Sequence, residues 1–299
     1  MQASLLTNLL LPLALGIIML GLGLGLTLDD FRRVARYPRA VLIGLALQTL
    51  VLPWAAFGLA LGFGLPAELA VGLMLLAASP GGATANIYSH LARGDVALNI
   101  TLTAINSLLC LLTLPVILNL SLEYFLGAGQ YVPPPTKKVI EVAAIILLPV
   151  AIGMVIRARA AGFAARTEKP IRLLSVLVLA LLVVAAVAQE WKTLTTYFAI
   201  VGLACLLFNL ASMGAGYAAP LALRLPKKQA IAIAMEIGIH NGTLAIFIAL
   251  NVLQNATISV PAAVYSLLMF VTAAVFAWWV SRGGRDAAGQ SPLPGPHAT

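Results

Sequence analysis

Glu236, His240 and Asn241 stand close together in the stretch Glu236-Ile237-Gly238-Ile239-His240-Asn241-Gly242-Thr243, at the middle of a long apolar run. A carboxylate, an imidazole and a carboxamide at membrane depth are costly unless they face one another or a polar cavity, so an acidic residue there reads as functional. A second polar interruption, Ser79-Pro80-Gly81-Gly82-Ala83-Thr84-Ala85-Asn86, divides another apolar run. Asn99, Thr103, Asn106 and Ser107 come next at spacings of three and four residues, which places them along one face of a helix. Gln48, Asn209 and Ser212 also sit within apolar runs. Oxygen dominates this set. A hard monovalent cation needs several oxygens, and Gln48, Asn86, Asn99, Thr103, the Glu236 carboxylate and carbonyls freed by broken helices supply them. Asn209 and Ser212 read rather as hydrogen-bonding residues between helices.

Other chemistries find little support. Glu236 and His240 could form an acid–base pair in a membrane-embedded enzyme, but neither a nucleophile nor a His/Cys/Asp cluster with metal spacing accompanies them. No phosphate-binding loop with its lysine is present, which argues against an ATP-driven pump. Cys110 and Cys205 lie in apolar runs and read as small buried side chains.

These residues must be held by membrane helices. The chain has 299 residues, 61% hydrophobic and 9% charged, against about 25% charged in a soluble domain. A helix crosses the hydrocarbon layer in about 20 residues. The apolar runs predict spans over about 5–28, 38–62, 66–91, 96–121, 138–157, 171–189, 195–222, 229–254 and 259–281, with a Pro133-Pro134-Pro135 loop after the fourth. The expectation is an all-α integral membrane protein of about nine spans, one unit over 1–281, with a disordered tail at 282–299. The first run lacks a basic leader and is too long for a cleaved signal peptide. All of the 18 Lys and Arg but Lys137, Lys138 and Lys192 fall in loops of one side. The positive-inside rule makes that side cytoplasmic, with the N-terminus outside and the C-terminus inside. The net charge of +8 is thereby a topology signal, and nucleic acid is not needed to explain it. Smaller features fit the same picture: Gly21-x3-Gly25 suggests close helix packing, Glu141 pairs with Lys137 and Lys138, and His90 lies near the cytoplasmic surface beside Arg93.

Pro80 and the glycines after it should break the third span, and the Glu236–Thr243 stretch the eighth. Each broken span is followed by a plain apolar one and preceded by two others. Broken helices at corresponding places in two halves point to a secondary transporter, with the halves in opposite topology and the first lacking its first helix. Gly82-x3-Asn86 and Gly238-x2-Asn241 are the weak sequence echo between them.

At these residues the chain resembles the bile acid:sodium symporter family, from about Gly16 to Ser281. Pro80-Gly81-Gly82 through Asn86, with Tyr88 and Leu91-Ala92-Arg93-Gly94-Asp95-Val96-Ala97-Leu98, is similar to one signature of that family. Glu236-x-Gly-x-His240-Asn241 is similar to another, usually Glu-x-Gly-x-Gln-Asn, and Gly21-x-Gly-Leu24 and Leu26-Thr27-Leu28 before Asp30-Phe31 also fit. The resemblance implies a nine-helix bacterial-type member in the inner membrane, with two crossing broken helices. It implies a panel of spans 1, 5 and 6 and a core of spans 2–4 and 7–9. Two sodium ions would sit at the crossing. Asn86, Asn99, Thr103 and Glu236 would hold the first, with Ala85 where serine is frequent. Gln48, Glu236, the Ile237 and Ile239 carbonyls and His240 would hold the second, His240 replacing glutamine. The organic anion would lie between the domains near Ala83, Thr84, Asn241, Met269 and Phe270. The last two stand where a pantoate-binding relative has polar residues, so a bile acid is not the assumed substrate.

The expected function is sodium-coupled symport of a carboxylate or sulfonate by alternating access, with no cofactor beyond the coupling ions. Half-helices starting near Thr84 and Gly242 would turn their positive ends to the anion. Because an imidazole titrates near neutral pH, Glu236 and His240 also admit proton coupling as an alternative.

Overall fold

The computed structural model describes residues 11–32, 35–82, 84–127, 136–167, 170–171, 173–174, 177, 181 and 191–282. The expectations for Ala83, for the Pro133-Pro134-Pro135 loop, for most of 171–189 and for the tail after Arg282 lie outside the described residues. So do those for the side chains of Lys137, Lys138 and Glu141.

The described residues fold almost wholly into helices. α1 spans Leu11–Gly25 and α2 is a short Leu28–Arg32 turn. α3 spans Pro38–Gly62 and contains a π-helical turn at Leu47–Val51. α4 (Ala67–Ala78) and α5 (Ala85–Leu91) are the two halves of the broken third span. α6 spans Val96–Leu126 and α7 spans Thr136–Arg159. After a short helical stretch at 161–167, α8 covers Trp191–Ala222. α9 (Lys227–Gly238) and α10 (Gly242–Val252, ending in a π-helical turn at Ile248–Val252) are the halves of the eighth span. α11 covers Val260–Arg282. Among the described residues, four segments are long and apolar enough to cross a bilayer: Pro38–Gly62, Val96–Leu126, Phe198–Ala222 and Thr257–Ser281.

One succession of backbone features occurs twice. Gly64 and Arg224 adopt positive φ of 56° and 60° in tight turns. Leu65 N then donates to Ala60 O, and Leu225 N to Pro220 O, in the same arrangement. Pro66 and Pro226 take the cap position ahead of α4 and α9, each 12 residues long, where a missing N–H costs nothing. After each break comes a second half-helix, stopped by Arg93 (φ 60°) or Gln254 (φ 52°) in the left-handed region. Asp95 accepts from Leu98 N at 3.0 Å and Asn255 from Ile258 N at 3.3 Å, each capping the helical segment after it. In this register Gly82 matches Gly242, which replaces the echo expected between Gly82-x3-Asn86 and Gly238-x2-Asn241.

The broken helix pairs form the buried centre, packed against α6, α8 and α11. α1 packs chiefly on α7. A Cβ on Gly23 would overlap the Val150 backbone, and one on Gly153 would overlap the backbone of Leu20, Gly23 and Leu24. Gly25, expected at the contact, faces open space. Close helix approach is thus right for α1, at Gly23 and not at Gly25.

Outward faces are apolar. Leu108, Leu112, Val116 and Leu120 are exposed along α6, and Leu267, Val271, Val275 and Trp278 along α11, at the three- and four-residue spacing of a lipid-facing stripe. Trp54, Phe57, Tyr124 and Phe125 cluster on α3 and α6, and Tyr217, Phe276 and Trp279 on α8 and α11. At one end Asp95 N donates to Lys228 O at 2.9 Å, and the Arg39 guanidinium donates to Leu223 O. These bonds gather Arg39, Arg93, Arg224, Lys227 and Lys228 at a common end of the molecule.

Candidate cation and substrate site

The two breaks meet. Gly82 N donates to Ile239 O at 2.7 Å and Asn241 N donates to Pro80 O at 2.8 Å, so Gly81 and His240 pair as a single antiparallel bridge. Backbone left unpaired in hydrocarbon would cost several kcal/mol per group, and this exchange satisfies it. The interruptions are shorter than the polar stretches that announced them. Helix α9 runs through Glu236 to Gly238, so Glu236 lies in a helical last turn and not in unwound chain.

Glu236 is fully buried at the crossing. Thr103 Oγ1 donates to its Oε2 at 2.5 Å and Asn106 Nδ2 to its Oε1 at 3.2 Å. Gly81 lies against the same carboxylate, and a Cβ there would overlap it. This is why the chain has a glycine at that point. Asn99, one turn before Thr103 on α6, donates from Nδ2 to Ala232 O at 2.8 Å. Thr103 therefore meets Glu236 directly, and Asn99, on the same face of α6, reaches the backbone of α9 one turn before it. Asn106 joins them as a direct partner of the carboxylate; the sequence placed it on the same helix face but not in the ligand set.

A second group gathers on Ser79 O, which accepts from Gln48 Nε2 at 2.9 Å and from His240 Nδ1 at 3.2 Å. Gln48 Nε2 also donates to Ala77 O at 3.2 Å, from a residue inside the π-helical turn of α3. A carbonyl only accepts, so Nδ1 of His240 carries its hydrogen. The imidazole packs against the Phe208 ring, stacked at 5.6 Å, and against the Tyr265 ring, steeply inclined to it at 5.4 Å.

A shared pattern runs through both groups. Each carboxamide spends its NH2 on protein acceptors, while among the described residues Gln48 Oε1, Asn99 Oδ1 and Asn106 Oδ1 stay buried without a hydrogen-bond donor. Buried polar atoms are ordinarily paired, and oxygen is the donor type that a hard cation takes.

Asn86 occupies the first turn of α5 and is half-buried, behind a fully buried Ala85. Thr84 precedes α5 without a side-chain cap. Asn241 uses its Oδ1 to accept from Leu244 N at 3.0 Å, capping α10, which leaves its NH2 for other work. Phe270 is half-buried and stacks on Tyr88 at 6.2 Å, while Met269 is enclosed at 1% exposure. Asn209 links helices as expected, through Gly238 O and the Tyr265 hydroxyl, a partner that no sequence pattern revealed. Ser212 donates to Phe208 O in its own helix at 2.7 Å and also lies in hydrogen-bonding contact with the Tyr265 hydroxyl of α11.

Broken helices crossing at a buried carboxylate, within a chain of long apolar helices, define a membrane transporter. The family model described as Sodium Bile acid symporter family matches residues 12–197. The chain is 30% identical over 277 residues to the uncharacterized sodium-dependent transporter YocS of Bacillus subtilis, covering 92% of this chain and 84% of that one. It is 28% identical over 276 residues to a rice protein named "Probable sodium/metabolite cotransporter BASS2, chloroplastic", covering 92% of this chain and 64% of the rice protein. The Arabidopsis thaliana protein of the same series, BASS1, is 30% identical over 267 residues, covering 88% and 64%. The chain thus spans a little under two thirds of these plant proteins. The chain belongs to the sodium bile acid symporter family, a family of transporters and not of enzymes.

Proposed function

We propose that this protein is a sodium-driven symporter of an organic anion, working by alternating access. The observation that carries the reading is the buried Glu236 carboxylate at the helix crossing, together with buried carboxamide oxygens of Gln48, Asn99 and Asn106 that have no donor among the described residues. Sodium, named for relatives of this chain, is a hard monovalent cation suited to that set.

In this reading Asn86, Asn99, Thr103 and Glu236 hold the first ion. Asn106 joins them through its free oxygen. Gln48 Oε1, Glu236, the Ile237 and Ile239 carbonyls and His240 hold the second. Ile239 O already accepts from Gly82 N and keeps a further lone pair for the ion. Filling the sites fixes the crossing, and with it α5 and α10. The anion then binds beside Thr84, the Asn241 NH2 and Phe270, positions to which the family resemblance adds Ala83 and Met269. Tyr88 and Phe270 form the apolar wall of that site, so a carboxylate or sulfonate with an apolar body suits it.

The recurring succession of turn, half-helix, break and long helix supports two repeats, which we read as inverted within nine spans. The α1–α7 pair and the sixth span form a panel, the remaining helices a core that moves against it. The basic end faces the cytoplasm of a bacterial inner membrane, with the N-terminus outside.

A thermal-shift screen of small carboxylates and sulfonates, in sodium chloride and in choline chloride, tests this reading. A transported anion should raise the melting temperature more in sodium, since linked ligands stabilise together. Stabilisation by an anion that is indifferent to sodium would contradict coupling.

A further inference from the structure

We infer that Asn209 and Tyr265 are positioning residues that set the sodium affinity of the second break, by fixing the Ile237–His240 backbone from its far side. This rests on the reading of the Ile237 and Ile239 carbonyls as sodium ligands.

The carbonyl of Gly238 is released where α9 ends. It accepts from Asn209 Nδ2 at 2.8 Å and from the Tyr265 hydroxyl at 2.9 Å. Asn209 Nδ2 donates its other hydrogen to the Tyr265 oxygen at 2.9 Å, which closes a three-membered cycle. The cycle also fixes the carboxamide's direction. Turned over, Asn209 would set its Oδ1 against Gly238 O, two acceptors facing each other. Both side chains are completely buried, on helices α8 and α11 respectively.

Neighbouring contacts extend the clamp to the other end of the segment. Tyr265 packs edge-to-face with His240, and Phe208, next to Asn209 in sequence, stacks on the same imidazole. Tyr265 and Phe208 also touch each other, with ring centres 5.8 Å apart. Gly238 and His240 bracket Ile239, whose carbonyl points to the bridge with Gly82. Holding both brackets fixes where the Ile237 and Ile239 carbonyls can aim. Gln48 on α3 does the same for the first break, through Ala77 O and Ser79 O. Each broken helix thus has a carboxamide from the long helix that precedes it in its own repeat, and the second has a tyrosine as well.

Sodium alone is the probe. The purified full-length chain and its Tyr265→Phe, Asn209→Ala and Glu236→Gln variants are melted across a sodium chloride series at constant total salt with choline. In the parent, melting temperature should rise and saturate with sodium. Tyr265→Phe and Asn209→Ala should each move the half-saturating concentration upward about three- to tenfold, the scale of one lost hydrogen bond. Their saturated response should still be reached. Glu236→Gln should flatten the response. If Tyr265→Phe and Asn209→Ala melt lower in choline yet keep the parent's half-saturating sodium concentration, they are packing residues only and the inference is overturned. Failure of both to fold would overturn it equally, by placing them in the core's stability. A parent without a sodium response, or a Glu236→Gln variant that keeps one, would instead defeat the sodium reading on which the inference rests.

Discussion

Glu236 gathers its partners through single hydrogen bonds, so one-atom changes around it have separable outcomes. Thr103→Val keeps the shape of the side chain but removes the hydroxyl that reaches Oε2. Sodium affinity should fall about tenfold, the scale of a hydrogen bond to a charged group, while Thr103→Ser stays near the parent. Half-saturation of sodium-driven uptake checks both. Gly81→Ala inserts a methyl where the carboxylate lies and should abolish uptake, at a stability cost of about 1–3 kcal/mol from overpacking. His240→Gln offers an oxygen in place of the Nε2 that has no partner among the described residues and should tighten apparent sodium affinity. Uptake that tracks a proton gradient in the parent and is lost in His240→Gln would favour proton coupling instead. The sequence made Glu236 legible because a carboxylate deep in an apolar run has few structural explanations. Asn106 was legible as a face but not as a partner, since periodicity orders residues on one helix without showing what the next helix brings opposite. Tyr265 carried no signal, because a tyrosine in an apolar run is ordinarily packing.

At the level of elements, hydropathy located α3, α4, α6 and α11 closely, because lipid and core both demand apolar side chains over a fixed length. The breaks were legible from Pro80 with its glycines and from the polar stretch after Glu236. Their lengths were not, because the halting of α9 after Gly238 depends on the bridge to Pro80 and Gly82, a contact distant in sequence. The α1–α7 contact shows the same limit. A repeated glycine spacing pointed to Gly25, which faces open space, whereas backbone approaches occur at Gly23 and Gly153. Gly153→Ala should lower stability by about 1–3 kcal/mol, while Gly25→Ala should change it by about 0.5 kcal/mol or less. Thermal melts of the two variants side by side would check this, and equal losses would refute the assigned contact.

For the whole molecule, orientation and charge movement give the observable consequences. With Cys110 and Cys205 replaced, a cysteine at Arg224 should react with an impermeant maleimide only in inside-out vesicles, and one at Lys192 only in right-side-out cells. Reversed labelling would invert the topology. Two sodium ions entering with a monovalent anion move one net charge, worth about 2.3 kcal/mol per 100 mV. Uptake in proteoliposomes should therefore rise when the interior is made negative. Both coupling and charge movement depend on sodium residing where the broken helices cross, and equilibrium binding of radioactive sodium to the purified protein addresses that most directly. The parent should bind sodium saturably, at about two ions per chain in the family's pattern, with unlabelled sodium competing and choline not. Glu236→Gln, folded and equally abundant, should lose that binding. Full sodium binding retained in Glu236→Gln, or none in the parent, would contradict the account.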